Sequence, residues 1–228
     1  MIKGLTKIAG LALTVGCWLW ARNIQHSEAL NLALIWCAPL LQFPITLVGQ
    51  RYLGKQSVTS QAEWASIFTH YAMMIALGVG IFPAIRLVQH RPGTLPIPYL
   101  IGNALVWFTG AATALTVLNL AIRGLGAPFA AKLSTRLATD WMYAWTRNPM
   151  LLCTLALLLS VGLRYRSIWF VVWVILIVSP GWIFFVKVYE ERELQIRFGD
   201  SYLKYKARTP MLLPRRPRVR DDSVEVSR

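Results

Sequence analysis

The chain has 228 residues, of which 56% are hydrophobic and only 15% are charged. Soluble domains carry charge on about a quarter of their residues, so this composition excludes an ordinary soluble fold. A formal net charge of +14 would suggest nucleic-acid binding in a soluble protein. Many of the basic residues, however, lie between Lys187 and Arg220, beside apolar segments, where they suit an anionic lipid surface. We therefore expect membrane lipids as partners and no nucleic acid.

Six apolar segments approach or reach the roughly 20 residues that a spanning helix needs. In chain order they are residues 5–21, 30–49, 64–85, 99–122, 149–163 and 167–186. The first follows two lysines, as a signal peptide would, but no A-x-A cleavage site comes after it, so a retained helix is favoured. Pro39 and Pro44 interrupt the second segment, and Pro180-Gly181 predicts a kink in the sixth.

The fifth segment is short, about 22 Å at 1.5 Å per residue, against a hydrocarbon core of about 30 Å. Only Arg164-Tyr165-Arg166 joins it to the sixth, which predicts a tight antiparallel hairpin. If the basic C-terminal tail is cytoplasmic, six spans place the N-terminus there too, in agreement with the positive-inside rule. The sequence thus predicts an all-α, polytopic transmembrane helical bundle with both termini cytoplasmic, in a bacterial inner membrane.

The chain divides into three parts. Residues 1–96 hold three N-terminal spans, residues 97–214 form the membrane core with the polar motifs, and residues 215–228 form a basic, then acidic tail predicted to be disordered. The three cysteines lie in apolar segments without a C-x-x-C pair, and the three histidines are scattered. No metal site is therefore predicted.

The first polar motif, Arg147-Asn148-Pro149-Met150, stands at the start of the fifth segment. Asn is a favoured helix N-cap and Pro is favoured at the first helical position, so the motif can be a purely structural start signal. The same geometry leaves backbone N–H groups that suit an anion such as a carboxylate, and Arg147 would strengthen that site. Both interpretations stay open.

The second motif follows the sixth segment. Its apolar positions recur at helical spacing and are Leu194, Phe198, Tyr202 and Tyr205. Lys187 is spaced to pair with Glu191 on a helix, and Glu193 has the same i,i+4 spacing to Arg197. One interpretation is an amphipathic helix on the membrane surface, with Glu193 on its solvated face. In the other, Glu190 and Glu191 hold ribose hydroxyls or a cationic amino group.

Together the two motifs resemble the isoprenylcysteine carboxyl methyltransferase family and its bacterial relatives. That family shows Arg-His-Pro or Arg-Asn-Pro, a helical hairpin, then Glu-Glu, a Leu, Phe-Gly, two Tyr and a Pro-containing ending. The corresponding stretches here are TRNPMLLC at 146–153, EERELQIRFGDSYLKYK at 190–206 and TPMLLPRRP at 209–217. GLGAPFA at 124–130 is similar to a Gly-x-Gly-Thr-Pro stretch of bacterial members.

The resemblance implies methyl transfer from S-adenosylmethionine to a lipophilic or small thiol or carboxylate acceptor, without a metal, at a pocket facing the cytoplasm. The cofactor-binding residues that it implies are Arg147, Asn148, Pro149, Leu151, Glu190, Glu191 and Tyr202. No catalytic residue is assigned, since an anionic acceptor needs no strong general base.

Two other functions remain open. Leu151 stands where the family usually has Tyr, and Cys153 where it usually has Gly, which allows a non-catalytic relative that acts as a membrane binding or scaffold protein. An unrelated transporter would place polar residues within the spans. Few occur, mainly Asn103 and Asn119, which counts against a transporter.

Overall fold

The computed structural model describes residues 2–23, 27–54, 59–123 and 137–216, and every regular element in these ranges is helical. The helices are α1 (Ile2–Asn23), α2 (Glu28–Leu40), α3 (Gln42–Gly54), α4 (Thr59–His90), α5 (Tyr99–Arg123), α6 (Met142–Trp145), α7 (Pro149–Arg164), α8 (Ile168–Phe198) and α9 (Asp200–Arg208). The motif at 124–130 and residues 217–228 of the tail predicted to be disordered at 215–228 lie outside the described residues. At the start of that tail, the backbone N–H of Arg215 donates to the carbonyl of Trp145 at 3.0 Å.

Five helical stretches of the described chain are long and apolar enough to cross a bilayer. They are Gly4–Asn23, Glu28–Leu53, Glu63–His90, Tyr99–Ile122 and Ile168–Phe198. The apolar helix α7 has 16 residues and spans only about 24 Å, as its sequence predicted. The six predicted segments are thus five spanning helices and one short helix. The prediction of an all-α transmembrane bundle is confirmed, and the chain is an integral membrane protein.

The second span is built from α2 and α3, which are interrupted at Leu41, between the two prolines that predicted a break. Backbone polar groups inside a bilayer need partners within the protein. The buried side-chain amide of Gln42 supplies one, because its Nε2 donates to the carbonyl of Pro39 at 2.8 Å. A Cβ on Gly181 of α8 would lie 2.8 Å from the same Nε2, so a glycine is needed where the two spans meet.

The last span, α8, is continuous but contains two π-turns, Val174–Val178 and Val186–Glu190. Pro180 follows the first of them and cannot donate to the helical ladder. The backbone N–H of Ser179 donates to the carbonyl of Val174 in the wider π-type spacing, and the hydroxyl of Ser179 donates to the same carbonyl at 2.8 Å. The irregularity predicted at Pro180-Gly181 thus takes the form of a π-turn just before the proline.

The core lies around α8. Its fully buried side chains include Phe170, Trp173, Val174, Val178, Phe185, Val186 and Tyr189. They pack against α7 on one side and against α2, α3 and α4 on the other, while α1 packs on α4 and α5 packs on α7. The predicted hairpin is confirmed, since α7 ends at Arg164 and α8 begins at Ile168. This hairpin brings the start of α7 and the far end of α8 to the same end of the bundle.

Candidate functional site

The first motif begins α7 as predicted, but Asn148 does not cap it. The helix starts at Pro149. Proline has no backbone N–H, but an N–H at the first helical position would have no partner within the helix in any case. Asn148 occupies the N-cap position without a side-chain capping hydrogen bond. Its Nδ2 instead donates to the carbonyl of Met211 at 3.0 Å, and the hydroxyl of Thr146 donates to the same carbonyl at 3.0 Å. The motif therefore marks the start of the helix as predicted, but the side chain of Asn148 binds the segment after α9 instead of capping the helix, because that segment passes alongside and offers a carbonyl to the amide.

Arg147 forms hydrogen bonds with α8, with α9 and with the segment that follows α9. Its backbone N–H donates to the carbonyl of Pro210 at 2.8 Å. Its Nη1 donates to the carbonyls of Lys206 at 2.9 Å and Thr209 at 2.6 Å. Its Nη2 donates to the carboxylate of Glu191. Among the described residues its buried Nε has no hydrogen-bond partner, so one guanidinium donor remains available.

Glu191 is the buried partner of this arginine. Its side chain is only 8% exposed, and its second oxygen lies 2.6 Å from the Nζ of Lys206. The predicted helical pair with Lys187 is replaced by these two contacts. The reason is the π-turn Val186–Glu190, which has a wider spacing than an α-turn and therefore changes the direction in which the next side chain points.

Glu190 faces a different part of the bundle. Its carboxylate lies 3.4 Å from the Nε2 of His70 on α4, and its side chain is 26% exposed. The other ring nitrogen of His70 contacts the carbonyl of Ser66 at 2.9 Å, and the ring packs edge-on against Phe185. In the sequence this histidine is one of three scattered ones and carries no ligand spacing. An ionisable side chain within a spanning helix was the available signal, because such residues are usually paired or functional.

Buried and half-buried tyrosines line the same end of the bundle. Gly199, at φ 52°, ends α8 and starts α9, so the apolar positions on its two sides do not share one straight helix as predicted. Tyr202 is fully buried, and burial raises the pKa of its phenol, with the charge of Glu191 adding to the effect. Burial likewise raises the pKa of Tyr143, followed by the charge of Glu190. Both phenols therefore remain neutral hydrogen-bond donors at physiological pH.

Two further predicted positions lie in the packed interior. Leu151 is buried in the core between α7 and α8. Glu193 does pair with Arg197 at 3.1 Å, as its spacing predicted. Its assignment to a solvated face is wrong, however, since its side chain is only 5% exposed. The end of α8 packs against α4, which covers the face that a lone surface helix would leave in water.

The fold thus brings most of the sequence-predicted site residues to one end of the bundle. Those directly around the buried ion pair are Arg147, Asn148, Pro149, Glu191 and Tyr202. Glu190 precedes Glu191 and faces His70 instead, and Leu151 lies behind the start of α7 in the core. The arrangement offers a donor at Arg147 and an incompletely buried carboxylate at Glu190. Within the described ranges, no three His, Cys, Asp or Glu side chains are grouped as a metal site requires.

Comparison with known proteins identifies the family. Residues 97–201 match the family described as phospholipid methyltransferase, a stretch that includes α5, α7, α8 and both polar motifs up to the start of α9. Neither the curated proteins nor the solved structures gave a match. The resemblance inferred from the two motifs is confirmed. Residues 97–201 therefore belong to the phospholipid methyltransferase family, the membrane methyltransferases similar to isoprenylcysteine carboxyl methyltransferase.

Proposed function

We propose that this protein transfers the methyl group of S-adenosylmethionine to a lipophilic or small thiol or carboxylate acceptor. The observation that carries the proposal is the contact between Arg147 and Glu191, which joins the two family motifs across 44 residues of chain. The family match supports methyl transfer in a membrane, and such enzymes usually use S-adenosylmethionine. The specific cofactor and acceptor are our inference from these observations.

The residues at this site fit the cofactor chemically. S-adenosylmethionine presents a carboxylate, an ammonium group and ribose hydroxyls, so its site needs both cationic donors and anionic acceptors. The buried Nε of Arg147 has no hydrogen-bond partner among the described residues. Since buried donors are nearly always hydrogen-bonded, an acceptor on a bound ligand would satisfy it. Glu190 has an ion-pair contact with His70 and keeps an exposed fraction of 26%, so its carboxylate can accept further hydrogen bonds.

Within this proposal the two adjacent glutamates have different tasks. Glu190 accepts hydrogen bonds from the ribose or the amino group, and Glu191 holds Arg147 in place from the other side. Arg147, Asn148 and the first turn of α7 after Pro149 bind the carboxylate end.

The remaining site residues act through packing. Tyr202 and Leu151 pack behind the polar groups and keep water from the reacting centre.

At such a site the main task of the protein is to position the cofactor and the acceptor relative to each other. When bound, the cofactor would supply an activated methyl group for in-line displacement, in which the bond from methyl to sulfur breaks as the bond to the acceptor forms and S-adenosylhomocysteine leaves. A thiolate or carboxylate is already anionic, so no strong general base is needed. A lipophilic acceptor reaches the site from the bilayer, between helices.

A non-catalytic relative is the second candidate. It is favoured by Leu151, which is buried in the core where the family usually has a tyrosine, and by Cys153, which stands where the family usually has a glycine. Such a protein would act as a membrane binding or scaffold protein. Cofactor binding separates it from an enzyme.

The first prediction is that S-adenosylhomocysteine raises the melting temperature of the detergent-purified protein. A ligand that binds only the native state stabilises it by about 2.7 kcal/mol at a hundredfold excess over its dissociation constant. Thermal unfolding followed by intrinsic fluorescence measures the shift, with adenine alone as the control compound. A melting temperature that stays constant up to millimolar S-adenosylhomocysteine would favour the non-catalytic relative.

The second prediction concerns orientation, which we propose to be cytoplasmic for both termini in a bacterial inner membrane. Basic residues are more numerous at the end of the bundle that holds the site, and cytoplasmic loops are enriched in them. A reporter enzyme that is active only outside the cytoplasm, fused after Arg228, should be inactive. The same reporter inserted in the loop between α4 and α5, after Gly93, should be active. The reverse pattern would place the proposed cofactor site on the wrong face of the membrane.

A further inference from the structure

One face of α5 packs along α7, and two contacts fix how the helices are aligned. Near one end, a Cβ on Gly102 would lie 2.6 Å from the Cα of Arg164. Further along, the hydroxyls of Thr109 and Ser160 are 3.3 Å apart. Moving towards the end of α5 therefore means moving towards the beginning of α7.

This alignment places Asn119 beside the proposed site. Asn119 follows Thr109 by ten residues, about 15 Å along the axis, and the same distance back from Ser160 reaches Met150. Asn119 also follows the buried Thr116 by three residues, so this part of α5 has two neighbouring polar side chains that are buried. The amide therefore lies level with the first turn of α7, although its helix is mostly exposed elsewhere.

The hydrogen bonding of Asn119 differs from that of the other polar residues on α5. Thr109, Thr113 and Thr116 each donate to a carbonyl of their own helix, at 2.7, 2.8 and 2.7 Å. Asn119 is only 1% exposed, yet in the part of the chain that the structure describes neither its Nδ2 nor its Oδ1 has a hydrogen-bond partner. A buried amide without partners is unfavourable in a bilayer and in membrane proteins usually belongs to a functional site.

We infer that Asn119 binds the amino-acid end of S-adenosylmethionine, an inference that rests on the proposed function. An amide offers a donor and an acceptor side by side, which matches a carboxylate next to an ammonium group. Two neighbouring features suit the same carboxylate: the first turn of α7 has no side-chain cap, and the buried Nε of Arg147 is unpaired among the described residues. Asn119 on α5 completes a site of which the two family motifs supply the rest.

The test compares two ligands that differ only at this end. S-adenosylhomocysteine has the amino-acid end, and 5′-methylthioadenosine lacks it. Asn119→Leu should weaken binding of S-adenosylhomocysteine about ten- to a hundredfold, as expected for losing hydrogen bonds to charged groups, and leave 5′-methylthioadenosine unchanged. Its melting temperature without ligand should not fall, because the amide that it removes has no hydrogen-bond partner among the described residues.

Asn103→Leu, at the opposite end of α5, is the matched control and should bind both ligands like the unchanged protein. An equal loss for both ligands, or no loss for either, would overturn the assignment of Asn119. If Asn119→Leu does not fold, Asn119→Ala decides, because it removes the same amide with a smaller side chain and should weaken S-adenosylhomocysteine alone. If the unchanged protein binds neither compound, the proposed function itself fails and this inference with it, whereas unaltered binding in the variants overturns only the inference.

Discussion

Replacing Arg147 with methionine should lower the free energy of unfolding by about 3 kcal/mol, the low end of the range for removing one partner of a buried ion pair, because Lys206 still faces Glu191. The change leaves Glu191 buried with Lys206 as its remaining cationic partner, and it frees the carbonyls of Lys206 and Thr209. The segment after α9 should detach from the start of α7 as a result. Equilibrium unfolding in mixed detergent micelles measures the loss.

Arg91→Met is the matched control for this experiment. Arg91 lies 3.8 Å from Glu28 at the opposite end of the bundle, and both side chains are about three-quarters exposed. Exposed ion pairs contribute about 0–1 kcal/mol, so this variant should unfold like the unchanged protein. Equal stability of the two variants would show that the ion pair of Arg147 does not hold the site together.

Replacing Glu190 with glutamine should weaken S-adenosylhomocysteine binding about ten- to a hundredfold, because a hydrogen bond to a charged group contributes about 1.5–3 kcal/mol. Stability without ligand should change little, since Glu190 is 26% exposed and its contact with His70 is long at 3.4 Å. Isothermal titration measures the affinity, and thermal unfolding without ligand measures the stability.

Glu63→Gln is the control for Glu190→Gln. Glu63 is 30% exposed and lies 3.6 Å from Lys7, so it matches Glu190 in burial and in having a long ion pair, but it lies on α4 away from both motifs. The buried Glu191 provides the opposite case, because Glu191→Gln should lower the stability of the protein without ligand more than its affinity for S-adenosylhomocysteine. We would reassign the two glutamates if Glu190→Gln bound as tightly as Glu63→Gln.

This division between the glutamates also bears on the non-catalytic alternative. A relative that lost activity could keep the ion pair of Arg147 and Glu191, because that pair stabilises the fold. It would have no need for an open carboxylate at Glu190 or for an amide at Asn119 that has no hydrogen-bond partner among the described residues. The affinity of Glu190→Gln therefore tests function more directly than the presence of the motifs does.

The sequence alone determined the membrane architecture and the positions where helices begin and break. Apolar length identified the spans, and the paired prolines around Leu41 marked the interruption of the second. Asn148-Pro149 marked the start of α7. These features are local, because hydropathy and the missing N–H of proline act within a few residues of chain. The two motifs were likewise sufficient to recognise the family that residues 97–201 match.

Only the tertiary structure decided which side chains meet. Glu190 and Glu191 are equivalent in the sequence, yet a π-turn and the packing of α8 direct one to His70 and the other to Arg147. The burial of Glu193 and of Asn119 also depends on how separate helices pack. The contact of Arg147 with Glu191 spans 44 residues of chain, and that of His70 with Glu190 spans 120. Such contacts have no local sequence pattern, because they are fixed by the rotation and alignment of whole helices. The sequence could therefore name the polar residues of the site, whereas the packing of the bundle gave each of them its partner.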